Sequence, residues 1–391
     1  MRVTRLELFD FRSYSSLRLE PGPGLNLFVG PNAQGKTNLL EALYALATTK
    51  SNRAGRDSEM VRFGADACRI VAAVERTTSG DVELEMAIGA AGATNIVGER
   101  KVVKINHGRQ QRVTDLIGSF NAVLFSSTDL DIVRGDPEER RRFLNYEIAQ
   151  VSPRYVLALG AHKRALEQRN RLLKDLRWGS PHADVGSLDA WSAQLVEHGA
   201  KLIERRRAYL DKLTAHAADV HSALTNGGET LVVEYQPSFP LPPAAITADE
   251  IGTAFLQALA PLRRDEIQRG STLLGPQRDE LCFRVGASKE TAIDVKTFGS
   301  QGQQRTVALS LRLAERRLIE EMVGEPPAVL LDDVLSDLDE ARRGQIFALA
   351  LSGGQTFLTT TDLSAIPADV VARASIWNVR TGEVTPAEPA S

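Results

Sequence analysis

Apolar and polar positions alternate from Val3 through Leu6, Leu8 and Phe9, and again at Leu17 and Leu19, before residues 25–29 run fully apolar. Alternation predicts half-buried strands, and the uninterrupted run predicts a strand covered on both faces. Residues 38–47 change to a helical pattern, and residues 68–75, 82–88, 101–105 and 122–125 return to strand patterns. From Pro137, a residue suited to a first helical turn, a long charged stretch predicts helix to about residue 177. A Gly, Ser and Pro break at 179–186 separates it from a second long helix over 188–224, which Asn226-Gly227-Gly228 stops. A strand at 231–235, a proline-rich linker at 237–243 and a helix to about residue 269 close the middle section. Strands at 281–285 and 292–295, a helix over 302–323, a strand at 328–331, a helix over 340–350 and a strand at 356–360 follow. After Thr381 the residues are small and polar, the composition of a frayed end.

This order predicts an α/β fold whose two halves, 1–136 and 271–391, bracket a helical insertion at 137–270. Length and composition agree: 391 residues, 43% hydrophobic and 25% charged, suit two or three ordinary globular domains. No apolar run reaches the roughly 18 residues of a membrane span, and Met1 leads directly into strand-like sequence, so a cytoplasmic protein with no membrane partner is expected. Cys68 and Cys282 have no metal-ligand spacing, which excludes a disulfide framework or zinc site. A net charge of −3 argues, taken alone, against nucleic acid as a partner.

The strongest chemical signal follows the apolar strand. Gly30-Pro31-Asn32-Ala33-Gln34-Gly35-Lys36-Thr37 matches G-x-x-x-x-G-K-[ST] between strand and helix. Backbone N–H groups there surround a β-phosphate, Lys36 reaches the β and γ oxygens, and Thr37 coordinates Mg²⁺, so ATP and Mg²⁺ are the expected cofactors. A chance match on this composition is on the order of one per cent. The apolar run Ala328-Val329-Leu330-Leu331 then delivers Asp332 toward the metal, and Asp333 is placed to polarise an attacking water.

Two further segments narrow the ATPase type. Ser300-Gln301-Gly302 opens a helix about thirty residues before the acidic strand, and Ser336-Asp337-Leu338-Asp339 follows it. This order resembles the ABC-type ATPase head, in which the Ser-x-Gly segment of one subunit binds the γ-phosphate held by another. That resemblance implies nucleotide contacts from Ser300 and Gly302; the plainer reading of Ser300 is a helix N-cap. Leu351-Ser352-Gly353-Gly354-Gln355 spells the transporter-type signature but follows the acidic strand, where two glycines after a helix read as a C-cap and turn.

With these motifs placed, the chain resembles the RecF family of bacterial recombination and repair ATPases, relatives of SMC-type heads. The resemblance runs through Leu8-Phe9-Asp10-Phe11-Arg12-Ser13-Tyr14, the P-loop, Ala122-Val123-Leu124-Phe125-Ser126, Gly135-Asp136-Pro137 with its arginine run, Gly275-Pro276-Gln277-Arg278-Asp279, the Ser-Gln-Gly-Gln-Gln-Arg signature and the acidic strand. It implies an ABC-type P-loop ATPase head in three layers with an antiparallel β subdomain and an inserted helical domain, without a long coiled coil. It also implies an ATP-dependent homodimer on DNA at gaps or single-to-double-strand junctions, a RecR-like partner, and help in RecA loading during gap repair, replication restart and the SOS response. Gln277 stands where the family has His, and the roles of 275–279 and Arg12 stay open. Asp333 replaces the transporter Glu, Thr359-Thr360-Thr361-Asp362 lacks the His that follows the last core strand, and no Gln stands near Phe125. Weaker positioning of the attacking water then predicts slow hydrolysis and an ATP-operated switch.

Charge by location revises the first inference. Between Arg134 and Trp178 there are eleven basic and six acidic residues, a net of +5 against −8 for the remainder. Arg140, Arg141, Lys163, Arg164, Arg171 and Lys174 are the candidate phosphate contacts, and sparse aromatics favour duplex backbone over a stacking groove. A solvated helix face is the alternative. Two other readings compete for the whole chain. An SMC-like structural ATPase needs a far longer arm than this insertion, and a transporter-type subunit conflicts with the signature and the absent His.

Overall fold

The computed structural model describes residues 1–90, 101–179, 184–337 and 340–387. In chain order, the first elements are β1 (Arg2–Phe11), β2 (Tyr14–Leu19), β3 (Leu25–Val29), α1 (Lys36–Thr48), β4 (Ala67–Glu75), β5 (Val82–Gly89), β6 (Lys101–Ile105), β7 (Gly108–Arg109) and β8 (Ala122–Ser126). Next come α2 (Leu130–Arg134), α3 (Pro137–Val151), α4 (Pro153–Arg177), α5 (Val185–Leu224), β9 (Thr230–Gln236), α6 (Ala248–Leu259), α7 (Arg263–Arg269), β10 (Glu280–Gly286), β11 (Ile293–Asp294) and α8 (Val295–Phe298). The chain closes with α9 (Gln301–Val323), β12 (Ala328–Asp332), α10 (Glu340–Leu351), β13 (Thr356–Thr360), α11 (Ala368–Val371), β14 (Ser375–Arg380) and β15 (Glu383–Pro386). Contacts group these into two compact units, Met1–Asp129 with Arg312–Ser391, and Leu130–Leu311.

The first unit holds two six-stranded sheets. One has the order β2-β1-β4-β5-β6-β7 and is antiparallel. The other has the order β15-β14-β3-β13-β12-β8 and is parallel except for its β15 edge. The core contains buried residues of both sheets together with Leu39, Leu40, Leu43 and Leu46 of α1. A helix that is apolar nearly all round is expected in such a buried position. Its buried acid, Glu41, is satisfied: Arg12 forks onto it at 2.9 and 2.5 Å and Ser51 Oγ donates to it at 2.5 Å. Arg12 also donates to Glu59 O at 2.6 Å, so in this chain its guanidinium is held by protein groups.

The second unit pairs α4 with α5 and carries the antiparallel sheet β11-β10-β9. Full-length pairing of β10 with β9 draws residues 271–311 into the same compact unit as the helices.

Three expectations change. The charged stretch from Pro137 is two helices, because Pro153 has no N–H to donate and Ser152 Oγ caps the new helix by accepting from Tyr155 N at 3.3 Å. The strand expected at 292–295 ends at Asp294, whose carboxylate accepts from Thr297 N at 2.8 Å and starts a helical turn. The tail is ordered to Pro386: Thr381 and Gly382, with φ of 47° and 79°, form a two-residue turn of positive-φ residues that matches the right-handed twist of the flanking strands, and β15 pairs with β14. Leu338 and Asp339 of the S-x-L-D segment lie outside the described residues.

Candidate functional site

Residues 25–29 end at the carboxyl edge of a parallel sheet, where crossover topology leaves a crevice for ligands. The loop leaving β3 turns through left-handed positions at Ala33 (φ 64°) and Gly35 (φ 109°). Gly35 is required twice over, because a Cβ there would also lie 2.7 Å from Ser13 Oγ and 2.9 Å from the Tyr14 hydroxyl. At Gly30 a Cβ would fall 2.2 Å from Val379 O. Tyr14 donates its hydroxyl to Gly35 O at 3.0 Å, while Thr381 N donates to Gln34 Oε1 at 2.7 Å, so β2 and the terminal hairpin brace the loop.

The start of α1 is left open to an anion. No side chain caps it and no acid stands in its first turn. First-turn N–H groups without intrahelical partners, at the positive end of the helix dipole, suit a phosphate. Lys36 is buried, and its ammonium donates to Gly30 O at 2.6 Å and Pro31 O at 2.8 Å. Burial lowers its pKa, with Asp333 and Asp332 pulling the other way.

Thr37 Oγ1 donates to Asp332 Oδ1 at 2.8 Å across 295 positions of sequence. Thr359 Oγ1, on the strand between β3 and β12, donates to the same oxygen at 3.0 Å. A hydroxyl and a carboxylate meeting beside a phosphate-type loop are hard oxygen donors of the kind Mg²⁺ takes, with positions left for phosphate and water. Asp333 is exposed in the left-handed region at φ 51°, its N–H donating to Thr359 Oγ1 at 3.0 Å. Such backbone in a non-glycine residue stores strain of order 1–3 kcal/mol and clusters at functional sites.

In the second unit, Ser300 is exposed at the start of α9. It forms a reciprocal capping box: Gln303 N donates to its Oγ at 3.2 Å, and its own N donates to Gln303 Oε1 at 2.9 Å. The plain N-cap reading therefore describes the chain by itself. The cap uses the hydroxyl as acceptor and leaves its proton available to donate. Gly302 lies in the first turn of the same helix. The transporter-like string 351–355 is a turn, with Gly353 and Gly354 at φ 104° and 84°, and Gln355 is buried on Val3 and Gly22.

Burial divides the candidate DNA contacts. Arg140, expected to face DNA, is instead buried, with its guanidinium forked onto the half-buried Glu280 at 2.7 and 2.9 Å where α3 packs on β10. Arg141 is half-buried and donates to Asp279 O at 3.0 Å, burial lowering its pKa. Lys163, Arg164, Arg171 and Lys174 are exposed on α4, whereas Arg169 of that helix is buried on Glu266 at 2.6 and 3.1 Å.

Within Gly275-Pro276-Gln277-Arg278-Asp279, Pro276 and Asp279 belong to a buried network, whereas Arg278 is exposed. Arg206 donates to Tyr155 Oη at 3.0 Å, Pro276 O at 2.7 Å and Asn145 Oδ1 at 3.0 Å, and lies 3.6 Å from Asp279. Asp279 accepts from Tyr235 and from Ser238 N at 2.8 Å; burial raises its pKa while Arg206 opposes. Arg206 is the middle of three successive arginines on α5, Arg205-Arg206-Arg207, and helical geometry turns one of such a run inward.

Known proteins resemble the chain along nearly its whole length. The family model described as RecF/RecN/SMC N terminal domain matches residues 2–366. DNA replication and repair protein RecF of Oceanobacillus iheyensis is 38% identical, covering 98% of this chain and 100% of that one. RecF of Geobacillus kaustophilus is 39% identical over 98% and 99%. A solved structure of the recombination mediator protein RecF-ATPrS in the RecFOR pathway superposes with a TM-score of 0.88 at 29% identity, covering 99% and 98%. The Smc head domain of Pyrococcus furiosus, at 15% identity and a TM-score of 0.53 over 99% and 96%, shares the fold. Near-end-to-end likeness at this identity, on a P-loop joined to an acidic strand, places the chain in the RecF family of DNA replication and repair proteins, built on the SMC-type ABC ATPase head.

Proposed function

We propose that this chain is an ATP-operated switch that closes a homodimer on DNA, with Mg²⁺ as the metal. The bond between Thr37 and Asp332 carries the reading, since it joins the two halves of an ATPase centre from opposite ends of the sequence. Gly30 to Thr37 would cradle the phosphates: Gly30, Pro31, Asn32, Ala33, Gln34 and Gly35 by the loop backbone, Lys36 by its charge. Thr37 and Asp332 would hold Mg²⁺, which supplies charge neutralisation at the phosphates when bound, and Asp333 would orient the water. Ser300 and the helix start at Gly302 would contact the γ-phosphate held by a second copy. The functional head would comprise 1–136 and 271–391, with 137–270 as the DNA-facing insertion.

Lys163, Arg164, Arg171 and Lys174 supply a salt-sensitive, sequence-independent surface for duplex beside a gap or junction. The RecFOR pathway named for the solved relative supports a RecR-like partner, and the reading extends to RecA loading in gap repair, replication restart and SOS induction, which the family resemblance implies. Sedimentation of the wild type beside Lys36→Met and Ser300→Arg tests the switch. ATP should dimerise the wild type while both variants stay monomeric; dimers of either variant at wild-type strength would refute the sandwich.

A further inference from the structure

Phe298 stands two residues before Ser300 with 70% of its surface exposed. The turn that presents it is fixed on every side. Asp294 caps α8, Val295 is fully buried, and Gly299 N donates to Val295 O at 3.1 Å. Gln304, in the first turn of α9, donates from Nε2 to Val295 O at 3.2 Å and to Gly299 O at 3.4 Å. Lys296 Nζ donates to Gly135 O at 2.8 Å, which ties down the cation on the turn. An aromatic ring in water forgoes the free energy of burial, yet the backbone beneath it is held by the signature helix itself. Such preorganised display of an apolar ring is the signature of an interface anchor.

We propose that Phe298 is buried against a second copy of this chain when ATP closes the homodimer. The inference rests on the dimer proposed above. If the Ser300 hydroxyl reaches a phosphate held by the other copy, a residue two positions away lies within about 7 Å of it along the chain. The hydrogen bonds that clamp the turn to the start of α9 carry the ring toward the other copy together with Ser300. The two-fold symmetry of a closed dimer brings one Phe298 from each copy, so the burial counts twice. The occupant is another copy rather than nucleic acid because the ring belongs to the turn clamped onto the phosphate-contacting helix start and lies outside the exposed basic stripe of α4.

Sedimentation of the full-length chain with Mg²⁺ and a slowly hydrolysed ATP analogue tests this for wild type, Phe298→Ala and Phe298→Leu. A fluorescent ATP analogue measures nucleotide binding by dilute monomer in parallel. Phe298→Ala should weaken dimerisation roughly tenfold or more, as loss of a central interface aromatic does, with Phe298→Leu in between. Monomer nucleotide binding should be unchanged. Hydroxyl-radical footprinting should show Phe298 protected with nucleotide in the wild type and unprotected in Ser300→Arg. Wild-type dimerisation by Phe298→Ala overturns the assignment, as does loss of monomer nucleotide binding, which would place the ring in the chain's own site. A wild type that stays monomeric overturns the dimer itself, a result distinct from both.

Discussion

At the scale of single residues, the structure separates groups that sequence treats alike. His162 is buried on α4 with Nε2 3.0 Å from Gln277 Oε1. Burial is the main force holding its pKa down at about 4, and the neighbouring Arg206 and His198 add to it. The sign follows: the folded chain excludes a proton that the unfolded chain binds near 6.5, so stability is intact above that pH and falls as pH drops toward 4. The loss amounts to about 3 kcal/mol at the lower end. Melting followed by circular dichroism should therefore show a steeper decline between pH 6.5 and 4 for wild type than for His162→Gln; parallel declines would refute the role. None of this was legible beforehand. The P-loop could be read because its chemistry is contiguous, and Asp332 because an apolar strand delivers it. Arg206 and Asp279, or Arg169 and Glu266, meet across long stretches of sequence, and a charged side chain in a string looks solvated until its partner is known.

Elements carry the next lesson. Periodicity located nearly every strand and helix because one buried face leaves a regular apolar trace. It missed the β14–β15 hairpin, whose short edge strand has almost no buried side chains and is held by a turn rather than by a core. It also overcounted the basic surface, since Arg140 and Arg169 turn inward onto Glu280 and Glu266. Four of the six exposed cations on α4 remain as candidates, Lys163, Arg164, Arg171 and Lys174, with Lys163 3.9 Å from Glu167 in a loose surface pair. Exposed pairs of this kind contribute little to stability, so the four can be removed with small folding cost. Replacing Lys163, Arg164, Arg171 and Lys174 together by Ala should weaken duplex binding. If all four meet phosphates, the slope of log affinity against log salt should fall by about 3 to 4. A filter-binding salt series checks both, and an unchanged slope at low salt would remove the stripe from the DNA surface.

For the whole molecule, the question is what hydrolysis is for. Among the described residues no helix is long and apolar enough to cross a membrane, and family membership removes the transporter reading. Asp333 carries one methylene fewer than the Glu of transporter-like heads, on a strained φ of 51°. Thr359, in the β13 strand, spends its hydroxyl on Asp332 and its oxygen on the Asp333 amide, which stiffens the centre without adding a base. Thr360 bonds within its own loop to Asp362, and no His stands in residues 359–362, the segment in which transporter-like heads carry one. If, as proposed, Lys36 and Thr37 hold the nucleotide and Asp333 positions water weakly, the chain should bind ATP well and turn it over slowly. Turnover without DNA should stay below about 1 per second, under the typical enzyme value of about 10 per second. Asp333→Asn should then abolish the residual rate while leaving ATP-driven dimerisation in place, which a coupled phosphate-release assay run beside sedimentation would show. Tens of turnovers per second in the wild type would overturn the slow centre, and loss of the dimer in Asp333→Asn would mean that ATP binding alone does not close it.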